Sequence, residues 1–197
     1  MVSQNLLEKD IENILTTALG SVDEMVVVNP SREMIRELVS AMDGLETTPV
    51  VHVLAAERPL KDVMDDFLVA STAADLVASD TLTLHVKEDM PVNSLLVSAE
   101  SVVSVVSGGD HVAGLVTDDG AFVDDAYAHY TEQYESADSF SLRTPPLSQV
   151  RETLDSDIGP ETAADFDAVL SSLQTARGDG DGLDEVTISL LVAAKNG

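Results

Sequence analysis

The sequence predicts an α/β fold: a mixed sheet with helices on both faces, followed by C-terminal helices. Three observations carry this reading. Short β-branched runs alternate with helically spaced stretches over the first half of the chain. Residues 93–117 (NSLLVSAE, SVVSVVSGGD, HVAGLVT) read as three strands joined by tight turns. Nearly all that follows them has helical periodicity.

Taken in order, residues 5–19 place Leu6, Leu7, Ile11, Ile14, Leu15 and Leu19 at helical spacing, with Ser3 as N-cap and Gly20 as stop. Residues 24–29 (EMVVVN) form a β-branched strand whose unbroken apolar run implies burial on both faces. Pro30 and Ser31 open a helix with Met34, Ile35, Leu38, Val39 and Met42 on one side and Gly44 at its end. Residues 50–55 (VVHVLA) are the second strand. Arg58-Pro59 starts a helix holding Val63, Met64, Phe67 and Leu68, and a further helical piece covers 72–78. This β-α-β-α order makes the first two strands parallel, with a right-handed crossover. Residues 81–86 (TLTLHV) are a third strand, and the three strands of 93–117 make the sheet mixed.

Residues 120–134 place Phe122, Val123, Ala126, Tyr127, Tyr130 and Tyr134 mostly at i, i+4 spacing on one helix. Residues 139–143 read as a short strand. Helices follow over 147–154 and 160–176, with Pro160 suited to a first turn. RGDGDG at 177–182 is a linker. The expected division is an α/β unit over 1–176, this linker, and the first helix of a second domain over 183–197. The apolar faces of the first helix and of the Tyr127–Tyr134 helix are candidate dimer faces.

Charge is the extreme feature: 36 acidic residues against 10 basic ones, net −26, with 44% apolar content. A disordered acidic chain would lack that apolar content. The reading is a folded protein with an acidic surface throughout, as in organisms with molar salt in the cytoplasm. No window has a basic cluster, which speaks against nucleic-acid contact through these residues. No stretch of apolar residues is long enough for a membrane span, and the start lacks the pattern of a signal peptide, so a cytoplasmic location is expected. With no cysteine, disulfides and thiol chemistry are excluded. No Walker loop, GxGxxG or nucleophile elbow occurs. His52, His85, His111 and His129 have no partners at metal-ligand spacing, and the acids of 179–185 do not keep the register of a calcium loop. Neither a metal nor a cofactor is expected.

Asn29-Pro30-Ser31-Arg32 and Glu57-Arg58-Pro59 each follow a strand and open a helix. Ligands of α/β sheets bind at the carboxyl ends of strands, where helix N-termini offer free N–H groups to anions. Asn29, Ser31, Arg32, Glu57 and Arg58 are therefore candidate ligands for an anionic metabolite, joined by Arg143 from the later strand. Capping and ordinary loop chemistry is the alternative reading of the same residues.

Strand–turn–strand after a parallel βαβ unit resembles the half-domain of the phospholipase D superfamily. Laid on this chain, its His-x-Lys-x4-Asp motif falls on Asn93, Leu95 and Glu100, so the resemblance implies a domain that has lost catalysis. Asn93 is kept as a candidate ligand contact at that retired site. Four segments are similar to the haloarchaeal TbsP-like family of regulators, tied to TrmB-type control of sugar metabolism: EMVVVNPSREMIRELVSAMDG, VLAAERPLKDVMDDFLVASTAADLVASDTLTL, SFSLRTPPLSQVRETL and LDEVTISLLVAAKNG. The resemblance implies a non-enzymatic, homodimeric transcription regulator. Its sensing domain takes an anionic effector, and a C-terminal winged helix–turn–helix reaches DNA from a domain extending beyond Gly197. A scaffold without a small ligand and a phosphate-ester hydrolase are the rival readings.

At molar salt the Debye length shrinks to about 3 Å, and self-repulsion at net −26 nearly vanishes. The melting temperature is expected to rise between about 0.1 M and about 2 M KCl. An unchanged melting temperature across that range counts against a salt-adapted surface.

Overall fold

In this computed structural model the structure describes residues 6–8, 11–45, 47–108 and 111–175. Eight strands form one sheet: β1 (Leu6–Glu8), β2 (Glu24–Val28), β3 (Val50–Ala55), β4 (Leu82–Val86), β5 (Ser94–Val97), β6 (Val102–Gly108), β7 (His111–Thr117) and β8 (Asp138–Ser139). Their spatial order is β1-β7-β6-β5-β2-β3-β4-β8. β2, β3 and β4 are parallel, and every other pairing is antiparallel. The mixed sheet expected from the sequence is present. Its parallel and antiparallel halves meet between β2 and β5.

β2 alternates between two cores. Met25 and Val27 face α1 (Ile11–Leu19), α2 (Arg32–Asp43), α3 (Glu57–Met64) and α4 (Phe67–Ala78), which bury Ile14, Leu15, Met34, Leu38, Leu60 and Ala73 against that side. Val26 and Val28 face α5 (Gly120–Ser136), which brings Val123, Ala126, Tyr127, Tyr130 and Tyr134 onto the opposite side. Helices on both faces are thus the observed arrangement. Caps place the helix starts: Ser31 accepts from Met34 N–H, buried Asp66 from Leu68 and Val69, and Asp119 from Phe122.

A third cluster joins the C-terminal helices to α4 in the helix layer. Phe67 and Leu68 of α4 pack with Phe166 and Leu170 of α7 (Pro160–Thr175), with Leu147 and Val150 of α6 (Leu147–Thr153), and with Leu154. The Asp75 carboxylate on α4 accepts from the Ser148 backbone N–H at 3.2 Å and from its hydroxyl. Arg151 pairs with Asp167 at 2.6 Å between α6 and α7. After α6 a π-helical turn covers Leu154–Ile158, closed by a Gly159 N–H to Leu154 carbonyl bond of 2.9 Å. Gly159 has φ 126°, which side chains other than glycine's rarely tolerate.

Four sequence expectations change. The helix expected to hold Val63, Met64, Phe67 and Leu68 ends at Met64, and Asp66 caps a new helix that takes in Phe67, Leu68 and the piece expected over 72–78. The helical spacing of residues 5–19 holds only from Ile11. Leu6–Glu8 are a strand, because their backbone pairs with the β7 edge, Leu6 opposite Gly114 and Glu8 opposite Val112. The strand expected over 139–143 is two residues, Asp138–Ser139, with one further bond from Phe140 N–H to the Leu84 carbonyl. The α1 and α5 stripes named as dimer faces are spent on the sheet: Ile14 and Leu15 are fully buried there, and Tyr127, Tyr130 and Tyr134 pack onto β2 and its neighbours. The linker of 177–182 and the helix of 183–197 lie outside the described residues.

Leu38 has no exposed surface and sits between α2 and the sheet. Leu38→Ala is expected to cost about 2–5 kcal/mol in unfolding free energy. Thermal or denaturant unfolding in high salt reads that loss.

Candidate functional site

The carboxyl ends of β2, β3 and β4 open on one edge of the sheet, beside the junction where the chain turns from β2–β4 toward β5–β7. That reversal of strand order is where α/β sheets offer a crevice. Asn29 ends β2 there with φ 48°, a left-handed conformation that asparagine tolerates better than most side chains. Its N–H donates to the Leu54 carbonyl at 2.8 Å, its Nδ2 donates to the Pro91 carbonyl at 2.6 Å, and its carbonyl accepts from the Ser94 hydroxyl at 2.7 Å. Asn29 thereby ties the loop before β5 to the ends of β2 and β3. Exposed Asn93 is brought to the same end, one residue before β5.

Ser31 caps α2, and this leaves Arg32 exposed in its first turn. Across the crevice, Asp62 of α3 pairs with Arg32 and lies 3.9 Å from Nε of Arg58. Glu57 pairs with Lys61 at 2.7 Å. Three cations and two carboxylates gather here, in a chain with ten basic residues. The Arg58 side chain is 86% exposed and Arg32 52%, so these pairs are surface interactions worth little individually. An incoming phosphate or carboxylate can replace Asp62 as partner of either guanidinium, with bidentate geometry available.

Six of the seven candidates therefore share one end of the sheet: Asn29, Ser31, Arg32, Glu57, Arg58 and Asn93. Arg143 does not join them. β8 runs antiparallel to β4, with Asp138 opposite Val86 and Ser139 opposite His85, so the chain beyond it heads toward the amino end of β4. Of the residues matched to the phospholipase D motif, Leu95 packs into the α5-side core and Glu100 is exposed in the β5–β6 turn.

One cluster escapes sequence reading. His52 on β3 stacks on Tyr134 of α5 at 4.1 Å between ring centroids, and His85 on β4 meets the same ring edge-on at 5.6 Å. His52 Nε2 lies 3.2 Å from Glu24, and its Nδ1 is 2.7 Å from the Thr83 hydroxyl. With Nε2 protonated and donating to Glu24, Nδ1 accepts from Thr83, and the neutral ring is satisfied at both nitrogens. Tyr127 also hydrogen-bonds Glu24; burial and that carboxylate raise its phenol pKa. His85 Nδ1 is buried without a hydrogen-bond partner. The only sequence signal was the period-2 position of His52 and His85 within their strands. Among the described residues no group of three or more His, Cys, Asp or Glu could hold a metal ion.

Burial, the largest cause, lowers the His52 pKa below its ordinary 6.5, while the Glu24 charge pulls it upward. The unfolded ring takes up a proton near pH 6.5 and the folded ring does not. The stability contribution is therefore complete above pH 6.5 and is lost as pH falls below it. An NMR titration should find the His52 midpoint below 6.5, and Glu24→Gln should move it lower still. A midpoint above 6.5 contradicts this geometry.

Two family models cover the chain: "Transcriptional regulator TbsP-like, N-terminal" over residues 3–145 and "Transcriptional regulator TbsP-like, C-terminal HTH domain" over residues 146–197. The two models meet ahead of α6, so the match to the helix–turn–helix model begins earlier than the helix expected over 183–197. The acidic surface, read as speaking against nucleic-acid contact here, does not exclude such a domain. No curated protein matches. Among solved structures, the archaeal chromatin protein TrmBL2 is similar at 14% identity and a TM-score of 0.49, over 71% of this chain and 55% of that one. The chain thus matches little more than half of the TrmBL2 chain. NucT from Helicobacter pylori is similar at 17% identity and a TM-score of 0.40, over 70% of this chain and 99% of that one. Both family models describe transcription regulators and not enzymes, and the chain belongs to the TbsP-like family of transcriptional regulators.

Proposed function

We propose that this regulator senses an anionic metabolite of sugar or central carbon metabolism at the carboxyl ends of β2 and β3. It acts as a homodimer in the cytoplasm of a salt-adapted archaeon. The observation that carries the reading is the shared Asp62 between Arg32 and Arg58. A phosphorylated sugar or a sugar acid that takes the guanidiniums releases Asp62 and shifts α3 against α2. α3 is followed after two residues by Phe67 and Leu68, the α4 side chains on which α6 and α7 rest. A ligand that binds one arrangement better than the other would change how the helix–turn–helix region is held.

DNA contact falls to residues 146–197 in this reading. Within the described part of that region, residues 146–175, the single basic residue is Arg151, and it pairs with Asp167. Binding that makes few phosphate contacts has a shallow salt dependence and survives at molar KCl. The competing reading is a scaffold with no small ligand, favoured by Arg32 and Arg58 already having a carboxylate partner.

Thermal shift in molar KCl with phosphorylated sugars and glycolytic acids separates the two. The expected outcome is that one compound raises the melting temperature and that Arg58→Ala weakens its binding about tenfold or more. If no compound moves the transition, the scaffold reading holds. Gel shift at the same salt should show DNA binding by the full chain and none by residues 1–145.

A further inference from the structure

We propose that the outer face of β6 and β7 is the surface through which two copies of this chain join. The proposal rests on the homodimer reading above and names its surface. Alternation along β6 puts Val102, Ser104 and Val106 on the α5 side of the sheet, since Val102 is buried there with Val123. The β7 partners on that face are Leu115, opposite Ser104, and Ala113, opposite Val106. α5 packs chiefly over β2, β3 and β5 and meets β6 at Val102 through Val123. Val106 is 39% exposed and Leu115 48%, while the opposite faces of β6 and β7 close on the α1–α4 core through Val103, Val105, Val112 and Val116.

Charge selects the occupant. β5, β6 and β7, of 4, 7 and 7 residues, carry no Asp or Glu, in a chain where 36 of 197 residues are acidic. Every helix among the described residues carries at least one carboxylate. A basic partner finds no carboxylate on this face to pair with. Two copies at net −26 repel over their helical surfaces and can approach most closely where neither presents a carboxylate. A twofold axis over the face lays Val106 and Leu115 of one copy against Leu115 and Val106 of the other, an isologous contact that closes on itself. High salt strengthens such apolar contact while screening the surrounding charge.

Light scattering on the full chain in molar KCl reads the mass. The expected result is a dimer for the parent chain and a monomer for Leu115→Glu and for Val106→Glu. Each is expected to raise the dissociation constant about a hundredfold or more, with an unchanged circular dichroism spectrum. Ile158→Glu, at a side chain 67% exposed elsewhere, should remain dimeric. Because the chain has no cysteine, Ser104→Cys supplies a single thiol on the face. A short bis-maleimide should link two copies through it, and this test stands if the glutamate variants fail to fold. A parent dimer unaffected by both glutamates, with no cross-link at Ser104→Cys, overturns the surface and leaves the homodimer reading standing. A monomeric parent chain overturns both.

Discussion

Burial of β2 on both faces is the constraint on which the rest depends. Met25, Val26, Val27 and Val28 are at most 2% exposed, held between parallel β3 and antiparallel β5 and covered by helices above and below. A strand so enclosed must keep its polar residues at its ends. Glu24 at the start meets His52 and Tyr127, and Asn29 just past the end ties down the loop to β5. At about 3.3 Å per residue the two sit roughly 17 Å apart, at opposite ends of the buried run. The histidine–tyrosine cluster and the arginine crevice are thus separate consequences of one strand.

Much of this was legible in the sequence because periodicity reports burial directly. EMVVVN, VVHVLA and the 93–117 block are strands as read, and the α2 stripe from Met34 to Met42 is the buried one. β1 was illegible because three residues carry too little pattern, and backbone pairing with β7 settles their state. Arg32 and Arg58 could be placed because each follows a strand end, but their common partner Asp62 lies on a different helix from Arg32. Arg143 was misplaced because the direction of a two-residue strand such as β8 leaves no trace in composition. His52 and Tyr134 stack across 82 positions of sequence, beyond the reach of local spacing.

The acidic surface has two faces in this regulator. It keeps copies of the chain apart over most of their area and makes phosphate contact costly near α6 and α7. Where carboxylates do meet partners, the partners are few and shared: Asp62 serves two arginines, and Asp75 serves both the N–H and the hydroxyl of Ser148. Such sharing makes small rearrangements of α3 and α4 inexpensive, since a surface carboxylate that loses one partner retains another or returns to water.

The α5 tyrosines also determine what light can report. The chain has three tyrosines and no tryptophan, and Tyr127, Tyr130 and Tyr134 all lie on the side of α5 turned to the sheet. Intrinsic emission and near-ultraviolet dichroism of this protein therefore come chiefly from one contact, α5 on β2 and its neighbours. The stacked His52 ring stands directly beside one of the three fluorophores. The molecule carries its own optical probe for the seating of a single helix, with no label needed.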